Sequence, residues 1–478
     1  MHSGNSPAPT LFRGPAIVLA AAFFFAAMWL CTPAAAAEAR RPNLLILLAD
    51  DLGYADVGFG GGQVIRTPNL DRLAATGVQL TDFRACPMCS PTRAGLLTGR
   101  WPLRFGLMRA VLPPWSSYGL PLDETTLPQL LAAAGYQRRA IVGKWHLGHS
   151  QRAFLPLNRG FTRFVGCYNG AIDYFTHERE GEVDWHHDER TVREEGYSTD
   201  LIGAEAVRFI GNSPVEQPWL LYVPFNAPHS PYQAKEGDQG RYAQLKLPRR
   251  RTYAAMVDCM DQAVGKILAA VEARPDADNT LILFFSDNGG IPAVGSSNGP
   301  YRDGKLSVYE GGTRVCAAIR WPAGGLESGT AKTFDGRIGY IDVLPTLLEA
   351  AGVEPPKNLD GVSFLGPLRG EAALADRPWF SYIHQSEDAH ASVHLGDWKL
   401  VAHGDFFAEN PAAAPRLELY NLAADPGETT DLAAKHPDRV RQLHRLLREF
   451  GALQKPGVTA YDEGREGFVA PKDWMITR

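Results

Sequence analysis

The chain reads as an α/β protein with a large, mixed but mostly parallel sheet between helices, followed by a smaller C-terminal α+β region with an antiparallel sheet. Three observations predict this. Short apolar runs alternate with amphipathic helical patterns through the first three quarters of the chain. Each run ends in Asp, Lys, His or Asn rather than in generic turn residues. After about residue 370 the pattern changes to closely spaced strand segments closed by one amphipathic helix.

Taken in order, residues 1–37 read as an export leader. Arg13 supplies the positive end, 16–30 is a nearly unbroken apolar stretch, and 33–37 offers small residues for cleavage. The apolar stretch is short for a membrane span, which needs about 20 residues. The expected locale is therefore periplasmic or secreted. An uncleaved anchor is the competing reading. The run 43–49 is the first strand, continuous in apolar character as a strand buried on both faces must be, and it ends in Asp50-Asp51. Thr67-Pro68 then opens a helix through Leu70, Leu73 and Ala74 that stops at Gly77. Three further strand-like runs, 139–142, 219–225 and 280–285, lead into G-K-W-H at 143–146, N-A-P-H at 226–229 and S-D-N-G at 286–289. Between the last two lies a helix with Tyr253, Met256, Val257, Met260, Val264, Ile267 and Leu268 on one stripe. The C-terminal region contributes strands over 378–383, 391–402 (broken at Gly396-Asp397) and 417–422. Its helix presents Val440, Leu443, Leu447 and Phe450 on one face. The expected division is 1–37, 38–370 and 371–478.

Composition narrows function by exclusion. A net charge of −5 over 478 residues gives no electrostatic footprint for nucleic acid, so any positive field must be local to a pocket. Five cysteines remain once the leader with Cys31 is removed: 86, 89, 167, 259 and 316. Spacing does not choose among their possible pairings, and no disulfide is assigned.

In open α/β sheets ligands gather beyond the carboxyl ends of the strands, so the four strand exits are expected to converge on one pocket. Asp50, Asp51, Asp287 and Asn288 offer oxygen only, a donor set for a hard cation such as calcium or magnesium rather than zinc. Taken singly, D-D-x-G and S-D-N-G are also ordinary turn sequences. Arg93, Lys144, His146, His229 and Lys305 form a second, cationic set, suited to clamping an oxyanion and moving protons. Lys305 taken alone reads first as a solvated surface residue. Cys89-Ser90-Pro91-Thr92-Arg93 places a small nucleophile at the start of a helix-like run, where unpaired N–H groups favour negative charge.

These blocks resemble the type I sulfatases of the alkaline phosphatase superfamily. The matches are N-L-L-I-L-L-A-D-D-L-G at 43–53, C-S-P-T-R at 89–93 with G-R at 99–100, and G-K-W-H-L-G at 143–148. They continue in family order with N-A-P-H, S-D-N-G-G, and G-K…E-G-G-T-R at 304–314. The resemblance implies an alkaline phosphatase-like fold and a sulfuric ester hydrolase. It implies that Cys89 is converted by a formylglycine-generating enzyme to an aldehyde whose hydrate attacks sulfur. One Ca2+ is implied on Asp50, Asp51, Asp287, Asn288 and residue 89. Arg93 and Lys144 would support the formylglycine, Lys144 and Lys305 would hold sulfate, and His146 and His229 would be base and acid. Stretches 155–161, 173–178 and 302–312 are similar to sulfatases acting on N-acetylgalactosamine 4-sulfate, so a sulfated carbohydrate or aryl sulfate is the expected substrate. Tyr174, His177 and Arg302 are candidates for a sugar-facing rim. The charged run 178–195 reads as a solvated loop or part of that rim. A phosphonate or phosphodiester hydrolase and a silent sulfoglycan-binding protein are the alternatives.

Overall fold

A ten-stranded sheet organises the molecule, and five parallel strands form its middle. In the computed structural model, which describes residues 1, 11, 40–107, 110–327, 332–385, 388–404 and 414–477, these run in the order Thr280–Ser286, Asn43–Ala49, Trp219–Pro224, Arg138–Lys144 and Arg163–Cys167. The leader expected at 1–37 lies outside the described residues apart from Met1 and Leu11. Contacts divide the chain into Met1–Arg41 and Pro42–Arg478, and every element below belongs to the second unit. Among the described residues no helix is long and apolar enough to cross a membrane.

The continuous apolar run behaves as its composition requires. Leu44, Ile46 and Leu48 enter one core cluster, and Leu45, Leu47 and Ala49 enter another, so the central strand is buried on both faces. Antiparallel strands extend the sheet on each side. Ala317–Arg320 pairs with Thr280–Ser286 and His186–His187 with Arg163–Cys167. The strand Arg163–Cys167 was not anticipated, because five residues interrupted by Gly166 give too short a periodic signal. The run expected at 139–142 extends from Arg138 to Lys144, so the lysine is itself the last strand residue.

Register decides where the chemistry lands. Ala49 pairs with Ser286, and Leu48 with Pro224, so these strands end level. Asp50, Asp287 and the 226–229 turn therefore leave the same edge. The long helix Pro248–Glu272 buries its expected stripe and sends the Tyr253 hydroxyl to this edge. That hydroxyl accepts the Gly53 N–H (3.1 Å) and donates to Asp56 Oδ2 (3.0 Å), fixing the loop after the paired aspartates.

A separate four-stranded antiparallel sheet follows in meander order: Trp379–Gln385, Asp388–Leu395, Trp398–His403 and Arg416–Asn421. The helix Pro437–Gly451 buries Leu443, Leu447 and Phe450, and the Phe450 ring stacks on Phe380 at 4.2 Å.

Candidate active site

Cys89 is the first residue of the helix Cys89–Thr98, fully buried, with its sulfur 3.5 Å from Asp50 Oδ1 and 3.5 Å from Lys305 Nζ. Burial pushes its thiol up to about 12, against the opposing pull of Lys144 and Lys305. An unmodified thiol here stays protonated near neutral pH and is a poor nucleophile.

Around it the two charge sets interlock. Lys144 Nζ lies 2.6 Å from Asp50 Oδ2. Arg93 donates to Asp287 Oδ2 through Nε (3.1 Å) and Nη2 (2.7 Å), and to the Lys144 carbonyl through Nη1 (3.1 Å). Lys305 Nζ sits 2.7 Å from Asp51 Oδ1. Burial favours a neutral Asp51, but Lys305, His229 and a 2.8 Å bond from Asn288 hold its carboxyl well below the usual range. Asp287 moves the other way, to about 6, through burial and the neighbouring Asp50, although Arg93 and Lys144 oppose this.

Three carboxylates thus face three fixed cations. Repulsion among the acids is already relieved by Arg93, Lys144 and Lys305, and does not by itself call for a metal. What points to an ion is different: Asn288 Oδ1 is buried without a hydrogen-bond partner among the described residues. Such a group costs about 1–3 kcal/mol unless something meets it. Ligand atoms of Asp50, Asp51, Cys89 and His229 also lie within 4.8 Å of one another. The oxygen-rich donor set fits a hard cation.

The two histidines differ in tautomer and setting. His146 is buried, its Nε2 lies 3.0 Å from the Leu112 carbonyl, and its Nδ1 has no hydrogen-bond partner among the described residues. The carbonyl accepts, so Nε2 carries the proton and Nδ1 the lone pair. Burial, then Lys144 and Arg93, keep this ring well below its ordinary value. His229 donates Nδ1–H to the Ser230 carbonyl (2.7 Å), leaving Nε2 3.7 Å from Asp51 Oδ2. Burial and Lys305 push it down to about 3, with Asp51 opposing. Asp51 and His146 both adopt left-handed backbone (φ 67° and 56°), a strained state for non-glycine residues that gathers at functional sites.

A pocket of about 610 Å³ opens over this cluster, with Cys89, His146, His229 and Lys305 at its base. Its walls include Val111, Leu112, Pro114, Asp173, Glu178, Arg179, Glu180 and Tyr461. All the expected site residues converge at this strand edge, but the three rim candidates do not line the pocket. Tyr174 is buried and donates to the carbonyls of Asn226 (2.5 Å) and His229 (2.8 Å), bracing the histidine turn instead. His177 is buried against Trp185, and Arg302 donates to the Tyr420 hydroxyl and the Glu428 carbonyl. The charged run 178–195 divides: its first three residues line the pocket, whereas His186 is buried beside Asp184. Leu112 and Tyr461 went unnoticed in the sequence, one acting through its backbone and the other far along the chain.

Comparison with known proteins accords with this geometry. A family profile described as "Sulfatase" matches residues 42–353, and one described as "N-sulphoglucosamine sulphohydrolase, C-terminal" matches 301–453. The chain is similar to human N-acetylgalactosamine-6-sulfatase, 33% identical with 85% of this chain and 84% of the relative covered. It is similar to mouse arylsulfatase J, 29% identical with 88% and 78% covered. Among solved structures, Ps i-CgsB in complex with k-i-k-neocarrahexaose superposes with a TM-score of 0.80 at 31% identity, covering 89% of this chain and 96% of that one.

Proposed function

The chain belongs to the sulfatase family, and from that premise we propose that it hydrolyses the sulfate ester of a sulfated carbohydrate, using residue 89 as formylglycine together with one Ca2+. The observation that carries this reading is the convergence of Cys89, Lys305, His146 and His229 at the base of one pocket, with a thiol that burial keeps unreactive. Oxidised to formylglycine and hydrated, the residue supplies two hydroxyls, one to attack sulfur and one whose deprotonation releases sulfate. Asp50, Asp51, Asp287 and Asn288 would hold the ion with residue 89, and the ion would polarise oxygen at that position.

The remaining work falls to side chains already in place. Lys305 and Lys144 would supply positive charge to the sulfate's non-bridging oxygens. Arg93, bonded to both Asp287 and the Lys144 backbone, positions rather than binds. His146, neutral with a free Nδ1, suits the base that takes the proton from the second hydroxyl. His229 presents Nε2 and suits the acid for the departing alcohol, provided it takes up a proton with the substrate. The sulfate ester's negative charge favours that uptake against the pull of Lys305.

On substrate, one of the relatives just given acts by name on N-acetylgalactosamine 6-sulfate, and another was solved in complex with k-i-k-neocarrahexaose. They support a sulfated galactosamine or galactan unit as the class. The 4-sulfate position suggested by motifs at 155–161, 173–178 and 302–312 remains part of the proposal. So do export through residues 1–37 and maturation by a formylglycine-generating enzyme. The test compares 4-nitrophenyl sulfate, phosphate and phosphonate esters, then a panel of defined sulfated sugars. Sulfate turnover should dominate; a faster phosphonate or phosphate rate would assign the site to phosphorus chemistry.

A further inference from the structure

The chain does not end its structural role where the second family match stops at residue 453. Residues 454–477 place Tyr461 in the pocket lining and bond to the segments that carry Pro114 and Arg179, two others of its lining residues. At the near end, Val458 donates its N–H to the Gly106 carbonyl (2.9 Å), and the Gly106 and Gly457 backbones pack so closely that a Cβ on Gly106 would meet Gly457 Cα at 2.4 Å. Trp115, one residue beyond the pocket-lining Pro114, donates Nε1–H to the Tyr461 carbonyl (2.8 Å), and the two rings meet edge to face at 5.4 Å.

At the far end the segment grips the hairpin formed by Glu178–Arg179 and Glu182–Val183. Trp474, 1% exposed, donates Nε1–H to the Arg179 carbonyl (2.9 Å). Asp473 donates its N–H to Glu182 Oε2 (2.8 Å), and its carbonyl accepts the Thr191 hydroxyl (2.6 Å). Asp473 and Trp474 both hold positive φ (53° and 46°), a costly backbone that persists only where surrounding bonds impose it. The hairpin so fixed carries Arg179 into the pocket wall. Among the described residues its Nε is buried with no hydrogen bond, and it is ion-paired with Glu180 Oε1 at 3.5 Å. A buried donor without a hydrogen bond beside a ligand cavity calls for an explanation, and an acceptor on a bound ligand supplies one. Tyr461, lining the same cavity, adds an aromatic face of the kind that packs on sugar C–H groups while its hydroxyl stays wet.

We propose that residues 454–477 form a positioning strap for the outer part of the substrate. Tyr461 and Arg179 contact the sugar beyond the one bearing the reacting sulfate, and Trp474 is the positioning residue that holds Arg179 in place. This rests on the sulfatase reading of the site and deepens it: the substrate is a sulfated di- or oligosaccharide whose second unit offers an oxygen acceptor, not an isolated sulfate ester. Such contacts act equally on ground and transition states, so they set KM rather than kcat.

The experiment uses the full chain and the variants Tyr461→Ala and Trp474→Phe, with thermal unfolding to verify that each is folded. Tyr461 is partly exposed, so its truncation leaves the core intact even where Trp474→Phe does not fold. Steady-state rates are measured on 4-nitrophenyl sulfate and on sulfated carrageenan and chondroitin di- and tetrasaccharides, with binding of the same sugars followed by calorimetry. The strap predicts that KM and Kd for the preferred oligosaccharide rise at least tenfold more than KM for nitrophenyl sulfate, with kcat held within twofold. Equal losses on small and large substrates, or no change on either, would overturn it. So would binding of every sugar unaffected by Tyr461→Ala. Absence of sulfate turnover in the wild type contradicts the sulfatase reading instead, and the calorimetry still decides the strap.

Discussion

Lys144 Nζ and Asp50 Oδ2 lie 2.6 Å apart, both completely buried, at the ends of two strands separated by a third. A pair placed so deeply is held by mutual compensation, and removing one partner strands the other's charge. Lys144→Ala is therefore expected to destabilise the fold by about 3–5 kcal/mol, nearer the lower figure because Arg93 Nη2 also stands 3.6 Å from Asp50. Urea unfolding measures it. A variant that loses activity but unfolds within 1 kcal/mol of wild type would make Lys144 purely a substrate ligand.

Replacement of Cys89 by serine keeps a nucleophile but provides only one hydroxyl. A single sulfate should be transferred per molecule, after which turnover stops. Rapid-quench assays would show a burst equal to the enzyme concentration and a flat steady state. Sustained turnover by a sequence-verified serine variant would remove the need for a second hydroxyl.

The unmet Asn288 Oδ1 makes ion binding measurable apart from activity. Added calcium at about a hundred times Kd should stabilise the chelated protein by about 2.7 kcal/mol. Asn288→Ala should weaken that response. A melting temperature indifferent to chelator and calcium would dissociate the acidic cluster from metal binding.

Much of this site was legible because buried strands write themselves as apolar runs and their exits as chemistry. The run 43–49 followed by Asp50-Asp51 needed only the level register with Ser286 and Pro224 to bring its acids beside Asp287 and His229. What stayed hidden depends on direction and distance. Tyr174, His177 and Arg302 sit in loops whose side chains turn inward, and loop orientation is set by tertiary packing that spacing does not encode. The tautomer of His146 is fixed by the Leu112 backbone, which carries no side-chain signature. Trp474 reaches Arg179 across 295 positions of sequence.

Stability against pH tests the buried histidines. His149 is buried, its Nε2 lies 3.0 Å from the Pro114 carbonyl, and burial lowers its pKa. Below the unfolded value of about 6.5 the unfolded chain binds a proton that the fold refuses, so stability falls as pH drops through that point. Asp261 and Asp287, both raised to about 6, act in the opposite sense, so the comparison must be between variants. His149→Gln should lose up to about 1 kcal/mol less than wild type between pH 6.5 and 5.5. Parallel slopes for the two proteins would mean that His149 takes its proton in the folded state.

Peptide mass spectrometry on active protein purified from its native host bears most directly on the catalytic assignment. The fragment containing residue 89 should carry an aldehyde in place of the thiol and react with a hydrazide probe. Full sulfatase activity from protein whose residue 89 is entirely unmodified cysteine would contradict the account at its root.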